Sequence, residues 1–276
     1  MPSVIDMNHG SGASLEPQTF CDRVNAVIDA ALIERRKHEP VRHYLGASQI
    51  GEECMRKLYY SYSHTPVDVG RELTARTIRI FDTGHAGEDA AALQMGAEDV
   101  PETDVFKATA IKWMGEAGFN LQTRDDHGGQ LGFTALDGRF AGHIDGWLIG
   151  GPLEDEIPYP NVGWEHKALG SRGWNKIKKH GVKEASPVYY AQMQVYMAYM
   201  GMMAYLFTAT NKNSQELHHE LVMFDAACAQ AQSDKAVTVI RAVEAGDLLP
   251  RCTDNDEFYL CKWCDWKWRC WNADLK

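Results

Sequence analysis

The sequence predicts an α/β or α+β domain in which helices flank a central mixed sheet of about five strands. Helical periodicity dominates the chain up to residue 119. Short segments that are bounded by glycine and resemble strands cover much of residues 120–224, and a further helical pattern covers 225–250. Helices on both sides of a run of strands are typical of a layered α/β architecture.

The N-terminal half is predicted to be helical after a flexible lead-in at residues 1–16. The segment PQTFCDRVNAVIDAALIERRKHE places apolar residues on one helical face: Phe20, Val24, Val27, Ile28, Ala31 and Leu32. SQIGEECMRKLYYSY predicts a second helix, with Ser48 as its N-cap. LTARTIRIFDTGHAGEDAAALQMG and ETDVFKATAIKWMGEAG predict a third and a fourth helix.

The strands are predicted in NLQTRDD, QLGFTALDG, FAGHIDGWLIG and VGWEHKAL, followed after a helix in SPVYYAQMQVYMAYM by MAYLFTAT and LHHELVMF. Asp225 is the expected N-cap of the next helix. We therefore predict a single domain over residues 17–276. It comprises a helical region (17–119), a core (120–224), a helix (225–250) and a C-terminal cysteine cluster (251–276).

Composition narrows the functional classes. The chain has 276 residues, of which 45% are hydrophobic and 24% charged, and its net charge is −10. Because no apolar run approaches the ~20 residues of a membrane span, we expect no membrane segment. The N-terminus has no basic start followed by an apolar stretch, so we expect no secretory signal. The negative net charge argues against a surface that is basic throughout and binds nucleic acid non-specifically, although it allows a local basic groove.

Two carboxylates and a lysine are the first candidates for chemistry. GHIDG places Asp145 near the end of a strand pattern, and WEHKAL places Glu165 and Lys167 in a later strand. Residues two apart in a strand share a face, so Glu165 and Lys167 point to one side and His166 to the other. If the strands are neighbours, the two carboxylates can converge on Mg²⁺ or Mn²⁺. The alternative is a solvated strand face, but the apolar flanks favour paired or metal-bound charges.

A histidine on the third predicted helix is a further candidate ligand. His85 shares a face with Ile78 and Phe81, which indicates that it points inward. Glu88 and Asp89 follow on its side. Most helical histidines are ordinary core or surface residues, whereas one near two carboxylates would add a nitrogen ligand and favour Mn²⁺.

A basic stretch and a polar pair follow the Glu-x-Lys strand. SRGWNKIKKHGVK carries five basic residues and a tryptophan, namely Arg172, Lys176, Lys178, Lys179, Lys183 and Trp174. It could bind phosphates and stack a base on the tryptophan, or it could form a solvated helix face. Gln192 and Tyr196 lie one helical turn apart, and periodicity alone favours a plain amphipathic helix with an aromatic stripe there.

The cysteines predict a metal or cluster site. Their number, seven, is odd, which argues against a closed disulfide framework and for a reducing, cytosolic compartment. Cys261, Cys264 and Cys270 form a C-x₂-C-x₅-C run that is typical of ligands. A four-coordinate site needs one more thiolate. The sequence offers four further cysteines for that position: Cys21, Cys54, Cys228 and Cys252.

These motifs follow one another in a recognisable order: CMRKLYY, GH with Glu88 on a helix, GHIDG, EHK, QMQVY and the terminal C-x₂-C-x₅-C. The order resembles the PD-(D/E)xK nucleases of the RecB-like exonuclease group. More narrowly, it is similar to the members with an iron–sulfur cluster, the AddB-type nuclease domains and the CRISPR-adaptation nucleases. The resemblance spans roughly Ser48 to Trp271. It implies a restriction-endonuclease-like core with a C-terminal iron–sulfur clasp.

The resemblance also implies a role for each matching residue. Asp145, Glu165 and His85 match metal ligands, and Lys167 matches the catalytic lysine. Because the helical motif is compressed here to GHAGED, Glu88 is an alternative ligand to His85. The pair Gln192 and Tyr196 matches a Gln-x-x-x-Tyr motif that helps to arrange DNA and the active site.

The cofactors implied are Mg²⁺ or Mn²⁺ and a [4Fe–4S] cluster. The cluster thiolates would be Cys54, Cys261, Cys264 and Cys270, and the tryptophans between them would shield the cluster. A structural zinc site would use the same four cysteines.

The implied function is metal-dependent DNA exonuclease activity in recombination, repair or phage DNA processing, in a bacterial or phage-encoded cytoplasmic protein. The sequence contains no Walker-type GKS or GKT motif, so a recombination or helicase partner would supply any motor. Two alternatives are a non-catalytic DNA-binding or adaptor protein of the same fold and a zinc-stabilised interaction module.

Overall fold

The structure is a computed structural model. It describes residues 19–85 and 105–272, and side chains are described for 19–80 and 106–272. These residues fall into two compact units, one of residues 19–40 and 73–79 and one of residues 41–72, 80–85 and 105–272. The domain boundaries inferred from the sequence stay a prediction. Within the described ranges, no helix combines the length and apolar character that crossing a bilayer requires.

The smaller unit contains helix α1 (Phe20–Lys37), close to its predicted bounds. A capping box starts the helix: the Thr19 hydroxyl accepts from the Asp22 N–H at 3.1 Å, and the Asp22 carboxylate accepts from the Thr19 N–H at 2.9 Å. The predicted apolar face contributes no buried residue, since Phe20 and Val27 are exposed. Helix α3 (Ala75–His85) begins in the same unit, and the rest of its predicted range lies outside the described residues.

The second predicted helix starts later than expected. A two-residue strand β1 (Leu45–Gly46) and a 3₁₀ turn (Ala47–Gln49) precede helix α2 (Met55–Tyr62), so Ser48 is not its N-cap. The N-cap position belongs to Cys54. Within this interruption the backbone packs closely at Gly51, where a Cβ would lie 2.5 Å from the Cα of Val188.

The strands form two sheets rather than one. The larger sheet has the order β2 (Asn120–Gln122), β5 (Gly146–Gly150), β6 (Val162–Leu169), β7 (Ala204–Asn211), β8 (Leu217–Met223). Its strands β6 and β7 are parallel, and the other neighbours are antiparallel. The smaller sheet has the order β1, β4 (Phe140–His143), β3 (Gly132–Ala135). Helices pack around this mixed α/β architecture.

The single strand predicted in FAGHIDGWLIG is wrong in one respect that matters for the site. It divides into β4 and β5, which belong to different sheets, and residues 144 and 145 join them. The Ile144 N–H donates to the Leu131 carbonyl at 2.9 Å, and the Asp145 carboxylate accepts from the His166 N–H at 2.9 Å. Asp145 therefore lies where the chain passes from one sheet to the other.

Side-chain alternation in β6 and β7 divides the larger sheet into two faces. Trp164 and Leu206 point to one face and pack with Ala110 of helix α4 (Val105–Glu116). Trp164 is fully buried, and burial of this kind contributes about 3 to 5 kcal/mol relative to alanine. Glu165 points to the opposite face, where the Gln192 amide contacts its carboxylate.

The remaining helices complete the fold, and local sequence features mark where several of them begin, break or end. The bounds are α5 (Ser171–Ala185), α6 (Pro187–Met200), α7 (Ala226–Ala245), α8 (Tyr259–Lys262) and α9 (Lys267–Trp271). A break at Gly181 (φ 74°) interrupts α5. Helix α6 has proline in its first turn and ends at Gly201 in the left-handed region. The Asp225 side chain caps α7 by accepting from the Cys228 N–H at 3.0 Å, as predicted.

Candidate active site

Five of the residues predicted to act in catalysis line one pocket of about 250 Å³ at the junction of the two sheets. Asp145 comes from the connection between β4 and β5, Glu165 and Lys167 come from β6, and Gln192 and Tyr196 come from α6. The structure thus brings together residues that are spread from Asp145 to Tyr196 in the sequence.

Strand alternation separates the pocket residues from their neighbour, as the sequence predicts. Glu165 and Lys167 line the pocket, whereas the His166 ring points to the other face of the sheet. There its Nδ1 lies 2.8 Å from the Thr208 hydroxyl and its Nε2 lies 3.3 Å from the Thr210 hydroxyl. Burial lowers the pKa of His166 to about 4, so the ring stays neutral near pH 7.

Glu165 is the most deeply buried charged group of the pocket, with 2% of its side chain exposed. Its Oε1 pairs with the Lys167 ammonium. The Gln192 amide donates to both carboxylate oxygens, at 3.3 and 3.4 Å. Burial and the nearby Asp145 carboxylate raise the pKa of Glu165, because both disfavour its charged form. A cation in the pocket would relieve that cost.

Asp145 is held at both of its carboxylate oxygens. Oδ2 accepts from the His166 N–H at 2.9 Å, and Oδ1 accepts from the Lys107 ammonium at 2.8 Å. Burial alone would raise the pKa of Asp145, but the Lys107 and Lys167 ammonium groups outweigh it and lower the pKa. Asp145 is therefore an ionised carboxylate with a fixed orientation.

Lys167 is a permanent cation of this site. Burial favours its neutral form, but the carboxylates of Glu165 and Asp145 outweigh that effect and raise the pKa of the lysine. Its ammonium group also lies 5.1 Å from the centre of the Tyr189 ring. A protonated lysine can donate hydrogen bonds to an anionic substrate but cannot act as a general base.

The Gln192–Tyr196 pair, which periodicity assigned to an ordinary helix face, is part of the pocket wall. The Gln192 amide donates to the Tyr196 hydroxyl at 3.2 Å as well as to Glu165. Burial raises the pKa of Tyr196, so its hydroxyl stays protonated. The ring packs so closely on Gly142 that a Cβ there would lie 2.5 Å from Tyr196 Cε1. Gly142 thus permits the ring to reach the pocket.

Several residues of the pocket belong to no sequence motif that would have identified them as site residues. Lys107 of α4 lies 38 positions before Asp145, and no local pattern links the two. The lining also includes Arg42, Tyr44, Ser48, Gln130 and His143. Arg42 brings a further cation to the pocket.

Two candidate metal ligands stay predictions. His85 is the last residue of α3, and its side chain is outside the described part of the structure. Glu88 lies outside the described residues altogether.

The basic stretch is helix α5, and one of its predicted roles is wrong. Trp174 cannot offer its ring to a base, because it is 2% exposed and packs in the core together with Ile177. The Lys178 ammonium lies 4.7 Å from the centre of the Trp174 ring. The spacing of Trp174 and Ile177, three residues apart, was a sequence signal for a buried helix face.

The cations of α5 are on its exposed side. Arg172, Lys176, Lys178 and Lys179 are exposed, although the Lys176 ammonium also donates to the Ala185 carbonyl at 2.8 Å. The stretch therefore presents positive charge without an accessible aromatic ring from Trp174.

The C-terminal cysteines share a second cavity, of about 30 Å³, with a residue from far earlier in the chain. Five thiols line it: Cys54, Cys252, Cys261, Cys264 and Cys270. The structure brings Cys54 to the C-x₂-C-x₅-C run, and it adds Cys252, which interacts with Cys54. Burial, followed by that contact, raises the pKa of the Cys252 thiol to about 12. In the described ranges, no three or more His, Cys, Asp or Glu side chains are grouped to hold a metal ion.

Hydrogen bonds also connect the C-terminal segment to the region that follows Cys54. The Asp68 carboxylate accepts from the N–H groups of Trp268 and Arg269, at 2.6 and 3.1 Å. Arg56 donates to the Cys270 carbonyl at 3.5 Å and lies 3.7 Å from its sulfur. Protein contacts therefore already fasten this segment to the first part of the same unit.

The four tryptophans near the cysteines divide into two pairs by their exposure, and their shielding of a cluster stays a prediction. Trp266 is buried and donates to the Thr65 carbonyl at 2.9 Å, and Trp271 lines the cavity. Trp263 and Trp268 are 81% and 68% exposed. Only the first pair is placed to limit solvent access to the thiols.

No protein-family model and no curated protein matches the chain. Among solved structures, the chain is similar to the protein SSO0001 (12% identity, TM-score 0.46, covering 90% of this chain and 96% of the other). It is also similar to an alkaline exonuclease from Laribacter hongkongensis (14%, 0.42, covering 80% and 94%). A third is a phage-related exonuclease from Haemophilus somnus 129PT (9%, 0.39, covering 74% and 95%). At such low identities and TM-scores, the assignment of function depends on the side chains of the site.

Proposed function

We propose that the chain is a Mg²⁺- or Mn²⁺-dependent deoxyribonuclease of the PD-(D/E)xK type that degrades DNA from an end. The observation that carries the proposal is the convergence of Asp145, Glu165 and Lys167 on one pocket, with Gln192 bound to Glu165. Each carboxylate has an ammonium partner, Lys107 for Asp145 and Lys167 for Glu165, and such a buried charged cluster in a pocket is typical of a functional site.

The donor set of the pocket fits a hard divalent cation. Asp145 and Glu165 offer carboxylate oxygens, and Mg²⁺ commonly uses one or two carboxylates together with waters and substrate phosphates. When bound, such a cation polarises a phosphate oxygen and lowers the pKa of a water molecule.

The chain's own residues position the reacting groups. The His166 N–H fixes the Asp145 carboxylate, while Gln192 fixes that of Glu165. Lys167, which stays protonated, stabilises the negative charge that develops on the phosphate as water attacks phosphorus. The attacking water gives a proton to solvent and its oxygen bonds to phosphorus, the bond from phosphorus to the leaving oxygen breaks, and the leaving oxygen takes a proton from solvent to become a hydroxyl.

Exonuclease action is tested by supplying the purified protein with linear DNA and with covalently closed circular DNA of the same sequence, in Mn²⁺. We expect the linear DNA to be degraded and the circle to persist. Cleavage of the circle at the same rate would contradict exonuclease action while leaving metal-dependent hydrolysis in place.

We also propose a [4Fe–4S] cluster on Cys54, Cys261, Cys264 and Cys270, with a structural zinc ion as the alternative. All four thiols line the same cavity, so one metal centre could bind them together. Four cations line the same cavity and can balance a thiolate-bound centre: Arg56, Lys57, Arg251 and Lys267. N–H groups near a cluster sulfur, such as that of Arg56, tune its potential.

In the cell, this activity would serve recombination, repair or phage DNA processing, beside a helicase or recombination partner. The convergence of Asp145, Glu165 and Lys167 on one pocket favours catalysis over a non-catalytic DNA-binding or adaptor protein, because perturbed charged groups in a pocket are typical of active sites.

The role of Gln192 is tested by Gln192→Met, which preserves the size of the side chain but removes its donors to Glu165 and Tyr196. We expect cleavage to slow by roughly tenfold, because the Glu165 carboxylate loses its orientation. Single-turnover rates at saturating Mn²⁺ measure the effect. Equal rates for the variant and the parent would show that Glu165 needs no support from α6.

The role of the α5 cations is tested by a triple variant, Lys176→Ala, Lys178→Ala and Lys179→Ala. We expect weaker DNA binding and a salt dependence reduced by about 0.7 to 0.9 in log–log slope for each phosphate that the variant no longer neutralises. Binding measured across a salt titration with a catalytically inactive parent gives both values. An unchanged slope would identify α5 as a solvated face.

A further inference from the structure

Tyr60 has a buried hydroxyl group beside the C-terminal cysteines. The residue lies on α2, the helix that begins after Cys54, and it lines the cavity of the five thiols. Only 5% of Tyr60 is exposed, yet its hydroxyl has no hydrogen-bond partner among the residues that the structure describes. Because nearly all buried polar groups have such a partner, the Tyr60 hydroxyl needs an explanation.

Packing and backbone hydrogen bonds hold the Tyr60 ring at the cavity. The centre of its ring lies 5.9 Å from that of Trp266 and 6.0 Å from that of Tyr59. The Trp266 ring N–H donates to the Thr65 carbonyl at 2.9 Å, and the Thr65 N–H donates to the Tyr60 carbonyl at 2.9 Å. The hydroxyl therefore belongs to a ring that is fixed on both sides.

The cations that line the same cavity differ from the Tyr60 hydroxyl, because protein acceptors satisfy them. The Arg251 guanidinium, for example, donates to the Cys270 carbonyl at 2.8 Å, and the Lys57 ammonium pairs with Glu52 at 2.6 Å. Four cations have such acceptors: Arg56, Lys57, Arg251 and Lys267. An acceptor for Tyr60 has to come from what the cavity binds.

We propose that the Tyr60 hydroxyl donates a hydrogen bond to a sulfur atom of the metal centre that the cysteines bind. This inference rests on the proposed [4Fe–4S] cluster. Metal-bound sulfur carries negative charge, and a hydrogen bond to a charged acceptor is stronger than one between neutral groups. Because a cluster gains negative charge when it is reduced, the bond from Tyr60 favours the reduced form and raises the reduction potential.

The test compares Tyr60→Phe, which removes the hydroxyl and keeps the ring, with Tyr62→Phe on the same helix. The Tyr62 ring packs against the hydrophobic core instead of lining the cavity. Protein purified without air is titrated electrochemically while its absorption is followed. We expect Tyr60→Phe to keep about four irons per chain. At a fixed potential, its ratio of reduced to oxidised cluster should fall roughly tenfold, which is about 59 mV for a one-electron couple. Tyr62→Phe should match the parent.

Resonance Raman spectra in H₂O and D₂O give a second measurement that does not depend on activity. A hydrogen bond to sulfur makes the iron–sulfur stretching frequencies shift when its proton is exchanged for deuterium. We expect the parent to show such a shift and Tyr60→Phe to lose part of it, while Tyr62→Phe keeps it.

Two kinds of result would count against the inference in different ways. An iron-loaded parent without any deuterium shift would overturn it even before a variant is made. Equal potentials and equal shifts in the parent and Tyr60→Phe would also overturn it, and would leave a bound water molecule as the partner of the hydroxyl. Zinc in place of iron in the parent would instead overturn the proposed cluster, and the inference with it.

Discussion

Replacing Glu165 by glutamine should abolish DNA cleavage while leaving the protein folded. The glutamine keeps the size of the side chain but removes a carboxylate whose burial already raises its pKa. Removal of one partner of a buried ion pair destabilises a fold, but Lys167 is 25% exposed and keeps the Asp145 carboxylate nearby, so we expect a modest loss of stability and a folded protein. Loss of a metal ligand, by contrast, should slow cleavage by roughly 10³-fold or more, in line with the loss of electrostatic stabilisation of a transition state. Cleavage rates and thermal unfolding on the same preparation measure the two effects.

Matched variants make this prediction specific. Asp145→Asn and Lys167→Met should also lose cleavage, because each removes one of the charges that converge on the pocket. Glu116→Gln is the control, since that carboxylate lies on the exposed side of α4. Parental cleavage by Glu165→Gln would exclude Glu165 as a ligand, and a large fall in its melting temperature would show that the charge is structural.

Loss of one thiol should remove the whole cofactor of the C-terminal cavity. Protein purified without air should be brown and carry about four irons and four sulfides per chain, as a [4Fe–4S] cluster on four thiolates requires. Cys54→Ser should lose the colour as completely as Cys261→Ser, because both thiols line the cavity. Cys21→Ser is the control, as its exposed side chain belongs to α1 in the other unit. Absorption spectra and iron analysis provide the measurement.

The fifth thiol sharpens the same experiment. Cys252 lines the cavity and interacts with Cys54, yet the family resemblance gives it no place among the ligands. We expect Cys252→Ser to keep the cluster. If Cys252→Ser loses the colour while Cys54→Ser keeps it, the fourth ligand is Cys252 rather than Cys54. If protein made with ample iron contains stoichiometric zinc instead, the cysteines hold a zinc ion and not a cluster.

Stability should fall on loss of the cofactor, because the free energy of binding adds to that of folding when the unfolded chain has no site. The segment should nevertheless stay attached, because the Asp68 carboxylate binds the N–H groups of Trp268 and Arg269 independently of the thiols. We therefore expect a lower melting temperature for Cys54→Ser rather than an unfolded protein.

The sequence predicted those parts of the site that depend on local periodicity. The two-residue alternation in VGWEHKAL predicts that Glu165 and Lys167 share a face and that His166 points the other way. Strand β6 also has the predicted bounds. The cap at Asp225 was predictable for the same reason, since a single side chain and the backbone next to it determine the cap.

Contacts between distant segments were not predictable in this way. Lys107 reaches Asp145 from a helix 38 residues earlier, and nothing in its own segment indicates a polar partner. The strand pattern around Asp145 gave no sign of a change of sheet, which arises because Ile144 bonds to Leu131 while Asp145 bonds to β6. The basic neighbours of Trp174 predict a contact between its ring and DNA, whereas packing places the ring in the core.

The most direct test of the central claim is cleavage of end-labelled linear DNA by the purified chain, with Mn²⁺ and with chelator, beside the Glu165→Gln variant. The pocket predicts steady shortening from an end by the parent in Mn²⁺, none in chelator, and none by Glu165→Gln under either condition. Intact DNA in every reaction with the parent, or equal cleavage by the parent and Glu165→Gln, would contradict the assignment of this pocket as the active site of a nuclease.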